Sequence, residues 1–130
     1  MKKTIVIIFI FFFFIASFSI FKFLNQKVEY EVLNVKDVPT QIQDDISTKS
    51  QNEGFTIHHL DNYTYIYYKI APTENEYIST DLYARKEKDE YIITSVVDWA
   101  TNDDLISYEK VIKFEEVSEN DIVLIKKDKR

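Results

Sequence analysis

The 130-residue chain has one glycine, two prolines and no cysteine, and its formal charge at neutral pH is −6. Lack of cysteine excludes disulfides, thiolate metal sites, thiol nucleophiles and a lipidated cysteine; Gly54 alone cannot supply a dinucleotide fingerprint or a phosphate-cradling loop. Residues 28–130 hold all 22 acidic residues and 12 of the 16 Lys and Arg, a formal charge of −10, which repels nucleic acid and favours solubility or cationic partners.

Residues 4–21 are eighteen residues without a charge, mostly Ile and Phe. As a helix they span about 27 Å, close to the hydrocarbon thickness of a bilayer. Lys2 and Lys3 precede the run and hold that end in the cytoplasm. The expectation is a single-pass cell-membrane anchor. Residues 1–27 form the anchor and a short link, membrane lipid is the partner of residues 4–21, and residues 28–130 form one extracytoplasmic domain. The alternative is a secretory signal cut after Ser17-Phe18-Ser19, which would leave a secreted chain starting at the apolar Ile20.

Beyond the link, residues 28–35 alternate as a first strand. Pro39 suits the start of a helix, and Ile42 and Ile46, four apart among polar residues, give that helix a narrow apolar face. Gly54 is placed just past its end, as a left-handed stop. Residues 55–60 are a strand, Asp61-Asn62 a tight hairpin turn, and residues 63–70 the return strand. Tyr63, Tyr65 and Tyr67 share one of its faces; Thr64, Ile66, Tyr68 and Ile70 share the other. A strand apolar on both faces belongs at the centre of a sheet, covered from both sides.

Residues 71–76 form a loop around Pro72. Residues 77–85, 91–97, 108–117 and 122–125 read as further strands. A charged turn at 86–90 and a polar loop at 98–107, which holds Trp99, lie between them. Residues 126–130 are a charged, frayed tail. The sum is an α+β domain: one mainly antiparallel sheet of six or seven strands with one short helix on one face.

Chemistry-bearing residues are sparse. His58 and His59 are adjacent on a strand, point to opposite faces and cannot chelate one ion together. Asp98, Asp103 and Asp104 lack the spacing of a calcium loop. No nucleophile elbow exists, so the expectation is a non-enzyme without metal or cofactor. A His within reach of a Ser and an acid in a cleft would point to a hydrolase instead. The candidate partner-binding residues are Tyr65, Tyr67, Pro72, Thr73, Glu74, Glu76, Tyr77 and Trp99. Tyrosine gives large contact area at low entropy cost, although it is also simply a good strand residue. Two functions follow: an interaction module for another protein, using this loop or a bare sheet edge, or a small-ligand or inhibitory domain with a groove lined by Tyr65, Tyr67 and Trp99.

The run Tyr63-Thr64-Tyr65-Ile66-Tyr67-Tyr68, then Pro72-Thr73, Tyr77-Ile78 and the later strand Ser107-Tyr108-Glu109-Lys110-Val111-Ile112 resemble the PrcB-like, protease-complex-associated family of exported bacterial proteins. Glu74-Asn75-Glu76 stands where that family carries a glycine pair. The resemblance covers about residues 38–117. It implies a small α+β domain that accompanies an exported protease by protein contact, with no catalytic residue to carry over.

Overall fold

The computed structural model describes residues 27–50, 52–71 and 75–130. The expected membrane helix over residues 4–21 lies outside them. Among the described residues no helix is long and apolar enough to cross a membrane.

Seven strands and one helix make an α+β fold. In chain order they are β1 (Glu31–Leu33), α1 (Thr40–Lys49), β2 (Gly54–Leu60), β3 (Tyr63–Lys69), β4 (Ile78–Glu87), β5 (Glu90–Trp99), β6 (Glu109–Glu115) and β7 (Ile122–Asp128). They form two sheets rather than the single one expected: β1-β6-β3-β2 and β4-β5-β7. All pairings are antiparallel except β5–β7, which is parallel.

The two faces of β3 account for the layering. Its side chains from Thr64 to Tyr68 are all buried. Tyr65 and Tyr67 pack with Val38, Ile42, Ile46 and Val111 under α1. Ile66, Tyr68 and Ile70 pack with Ile78, Leu82, Tyr91, Ile93, Val97, Ile112 and Phe114 from β4, β5 and β6. One ten-residue helix covers only one face of such a strand, so the second sheet covers the other.

The helix rests on a small apolar contact. Ile42 and Ile46 are buried, and each contributes about 2 kcal/mol of transfer free energy. Its first turn has no side-chain cap at Pro39; instead Gln43 Nε2 donates to the Val38 carbonyl at 2.9 Å. An acidic residue at Ile46 would undo the contact with Tyr65 and Tyr67.

Several local expectations are corrected. The first strand shrinks to Glu31–Leu33, followed by a 3-10 turn at Val35–Asp37. Gly54 does not stop the helix, which ends at Ser50. Gly54 opens β2 with φ +123°, a conformation that side chains with a Cβ rarely adopt. At the next hairpin Asp61 and Asn62 have φ +50° and +67°, as its two-residue turn requires. The tail is not frayed either. β7 continues to Asp128, and the Lys129 N–H donates to the Val97 carbonyl at 2.8 Å.

Candidate interaction site

The ends of β4, β5 and β7 meet at one corner. Ile78 pairs with Trp99, and the Ala100 N–H donates to the Tyr77 carbonyl at 2.9 Å. This fastens Tyr77 and Trp99 on neighbouring chain segments. The Tyr108 hydroxyl donates to the Glu76 carbonyl at 2.9 Å, which ties the approach to Tyr77 down to the start of β6. Arg130 completes the corner. Its Nη1 lies 2.9 Å from Glu76 Oε2 and its Nη2 2.8 Å from Asp128 Oδ2. The guanidinium carbon stands 5.8 Å from the Trp99 ring centroid, within cation–π range.

Both aromatics face solvent, Tyr77 at 61% and Trp99 at 51% exposure. Trp and Tyr are the residue types enriched among the anchors of protein interfaces. The Arg130 hydrogen bonds hold the Asp128 carboxyl down at about 2. The same acid, helped by Glu76, raises Arg130 above the usual guanidinium range. Asp128 and Arg130 therefore stay charged at any physiological pH.

Of the eight residues expected to bind a partner, Glu76, Tyr77 and Trp99 come together here. Pro72, Thr73 and Glu74 lie outside the described residues. Tyr65 and Tyr67 do not contribute a surface: each is 2% exposed beneath α1. The Tyr65–Tyr67–Trp99 groove is therefore not formed, because the two tyrosines face the helix on one sheet while Trp99 ends a strand of the other. Sequence reasoning missed Arg130 and Asp128, whose charge resembled a loose tail.

A second polar cluster was also missed. Asp45 of α1 accepts from His58 Nδ1 of β2 at 2.5 Å; His58 Nε2 lies 2.8 Å from Thr56 Oγ1, and that oxygen 2.7 Å from Ser50 Oγ. The periodicities of α1 and β2 place these groups on facing sides, but no local signal pairs them. His58 is 1% exposed, whereas His59 is exposed on the opposite face and lies 3.6 Å from Glu119.

The connectivity is that of an acid–base–hydroxyl relay, and its position decides what it does. A cleft of about 410 Å³ opens beside it between α1, β2 and the Glu119 turn, lined by Gln41, Ile42, Asp45, Lys49, Ile57, His58, His59, Leu60 and Glu119. Thr56 and Ser50 are not in its walls. The groups of the relay hydrogen-bond one another between helix and sheet. The arrangement is a latch that holds α1 on β2. The His58 hydrogen bond, aided by Lys49, lowers the Asp45 carboxyl below its ordinary value. Among the described residues no group of three His, Asp or Glu could hold a metal ion.

Comparison with protein-family models, curated proteins and solved structures finds no match.

Proposed function

We propose that this chain is a non-enzymatic protein-interaction module displayed outside a cell membrane. In this reading residues 4–21 are the lipid anchor, supported by their eighteen uncharged residues. The acidic domain stands on the far side, supported by Lys2 and Lys3 ahead of the run. The observation that carries the interaction is the pair of exposed aromatics, Tyr77 and Trp99, fixed by backbone pairing, with Arg130 over the Trp99 ring. The partner is another protein. An exported protease or envelope assembly is the class implied by the resemblance of residues 38–117 to the PrcB-like family.

Trp99 is the only tryptophan, so its fluorescence reports the site directly. The full chain, extracted in detergent, should co-purify a specific protein, and binding should shift Trp99 emission to the blue. Tyr77→Ala and Trp99→Ala should each lower the yield while leaving the urea midpoint unchanged. Each loss should be of the order of 2 kcal/mol, typical of an interface anchor. Unchanged yield in both variants removes this corner as the binding site.

A further inference from the structure

The aromatic corner continues into the loop between β5 and β6. That loop is fastened at both ends to neighbouring residues. The Ala100 N–H donates to the Tyr77 carbonyl at 2.9 Å, and the Ser107 N–H to the Ile78 carbonyl at 2.8 Å. The Thr80 hydroxyl also donates to the Ser107 carbonyl, at 2.7 Å. Between the fastenings residues 101–105 are all exposed, and Asp103–Leu105 form a 3-10 turn. Leu105 is 47% exposed. Three large apolar side chains in water, Tyr77, Trp99 and Leu105, therefore belong to one end of the β4-β5-β7 sheet.

Charge at this end is one-sided. Residues 70–84 and 89–109, the two stretches that build it, contain no Lys, Arg or His. Asp98, Asp103 and Asp104 are exposed and make no ion pair among the described residues. Asp98 Oδ1 accepts from the Trp99 N–H at 2.8 Å, which holds that carboxylate at the base of the indole. Of the bases on the adjoining end of β7, Arg130 is engaged by Glu76 and Asp128. Lys129, whose N–H is on Val97, is left to face three acids. Arg130 also shows what the corner accepts: a guanidinium set between two carboxylates and the Trp99 ring. Aromatic faces and carboxylates attract the same sign of charge.

We infer that this end docks a cationic segment of the partner protein, with Lys or Arg side chains placed around an apolar residue. The inference rests on the reading of Tyr77 and Trp99 as the interaction site and names the chemistry it selects. The apolar residue covers Tyr77, Trp99 and Leu105, and the bases meet Asp98, Asp103 and Asp104. Such an apolar centre within a charged rim has the anatomy of a protein interface. The rim sets which partner approaches and how fast, and it turns acidic segments away.

The probe is a short peptide alternating lysine with leucine, titrated against the full chain in non-ionic detergent. Trp99 emission is the readout, since the chain has no other tryptophan. Raising the salt from about 0.05 M to about 0.5 M should weaken binding about tenfold. Asp103→Lys with Asp104→Lys should weaken it by about tenfold or more and admit the glutamate–leucine counterpart, which the wild-type chain should refuse. Asp103→Asn with Asp104→Asn should give a smaller loss. Asp37→Lys with Asp44→Lys makes the same change in net charge at exposed positions of the helix layer, and should leave the affinity unaltered. Urea midpoints should agree across these chains.

Equal binding of the two peptides by the wild-type chain overturns the inference, and so does a silent Trp99 with both. An equal loss in the two lysine variants overturns it as well, because net charge alone would then govern. Spermine binding as tightly as the peptide would make the ligand a small polycation, not a protein segment. If Tyr77→Ala and Trp99→Ala abolish capture of the partner while Asp103→Lys with Asp104→Lys leaves it intact, the corner stands and its cationic preference falls. If the alanine variants capture normally, the corner itself is not the site.

Discussion

The His58 imidazole joins the helix to the sheet through Asp45: Nδ1 stands 2.5 Å from Oδ2, with the ring fully enclosed and the carboxylate at the surface. Thr56 and Ser50 occupy the other side of the ring. His58→Ala should destabilise the domain by about 2–4 kcal/mol, because it opens a cavity and removes the imidazole that bridges Asp45 and Thr56. Asp45→Ala should cost about 1–2 kcal/mol. A double-mutant cycle by urea unfolding should return a coupling of about 1 kcal/mol or more. Strict additivity would dismiss the latch.

The same pair sets an acid limb. The folded-state pKa of Asp45 is lowered, so its contribution is present above the unfolded aspartate value, near pH 4, and is lost as the pH falls through the folded value. Unfolding midpoints measured from pH 6 down to 2 should decline below about pH 4. The decline should be shallower in His58→Ala. Identical slopes would show that other carboxylates govern the limb.

At the opposite extreme, two buried phenols hold protons. Burial and then the Glu115 carboxylate push Tyr91 up to about 12. Burial and then Glu109 raise Tyr67 further. A tyrosine raised on folding stabilises the fold fully below its unfolded value, near 10, and that contribution disappears as the pH climbs through the folded value. The domain should therefore lose stability between about pH 10 and 12. Phenolate absorbance, with Tyr91→Phe as the difference, should place Tyr91 near the top of that window, and Glu115→Gln should bring it down. A Tyr91 titration at the ordinary tyrosine value would contradict the packing of its ring on Phe114 and its hydroxyl on Glu115.

Gly54 tests backbone conformation rather than space. A Cβ built there would meet only the Lys126 Nζ, at 3.6 Å, an ordinary contact. The φ of +123° is the obstacle. Gly54→Ala should cost about 1–3 kcal/mol, read as a drop in thermal midpoint. A neutral result would mean that β2 starts in a different conformation.

The anchor reading has its own test. The full chain should sediment with membranes and resist carbonate extraction, and protease added outside the cell should remove everything beyond Lys27. Release into the medium with a new start near Ile20 would replace the anchor by a cleaved signal, leaving the domain's interactions to be judged separately.

Much of the fold is written in short-range pattern. The Asp61-Asn62 turn, the two-faced β3 strand and the Ile42–Ile46 stripe each need only neighbours within a few residues, and each stands as the sequence predicts. What depends on distant partners was illegible. The run Ile122-Val123-Leu124-Ile125 has one local signal whether its neighbour is parallel or antiparallel, so the pairing with β5 and the split into two sheets could not be read from it.

The site divides along the same line. Tyr77 stood out beside the Pro72 loop and Trp99 as the aromatic of the polar loop at 98–107, but Arg130 reaches Glu76 from 54 positions away and no periodicity announces it. Tyr65 and Tyr67 misled because a tyrosine's ring is as good a core filler as a contact surface. Gly54 misled because helix stops and strand starts both exploit a missing Cβ.

Strand β3 serves as a common wall, with one row of side chains beneath the helix and the other inside the sandwich. Neither compartment can be emptied without stripping that wall from both sides. Calorimetry should therefore record one transition, and the slowest amides to take up deuterium should belong to Ile66 and Tyr67.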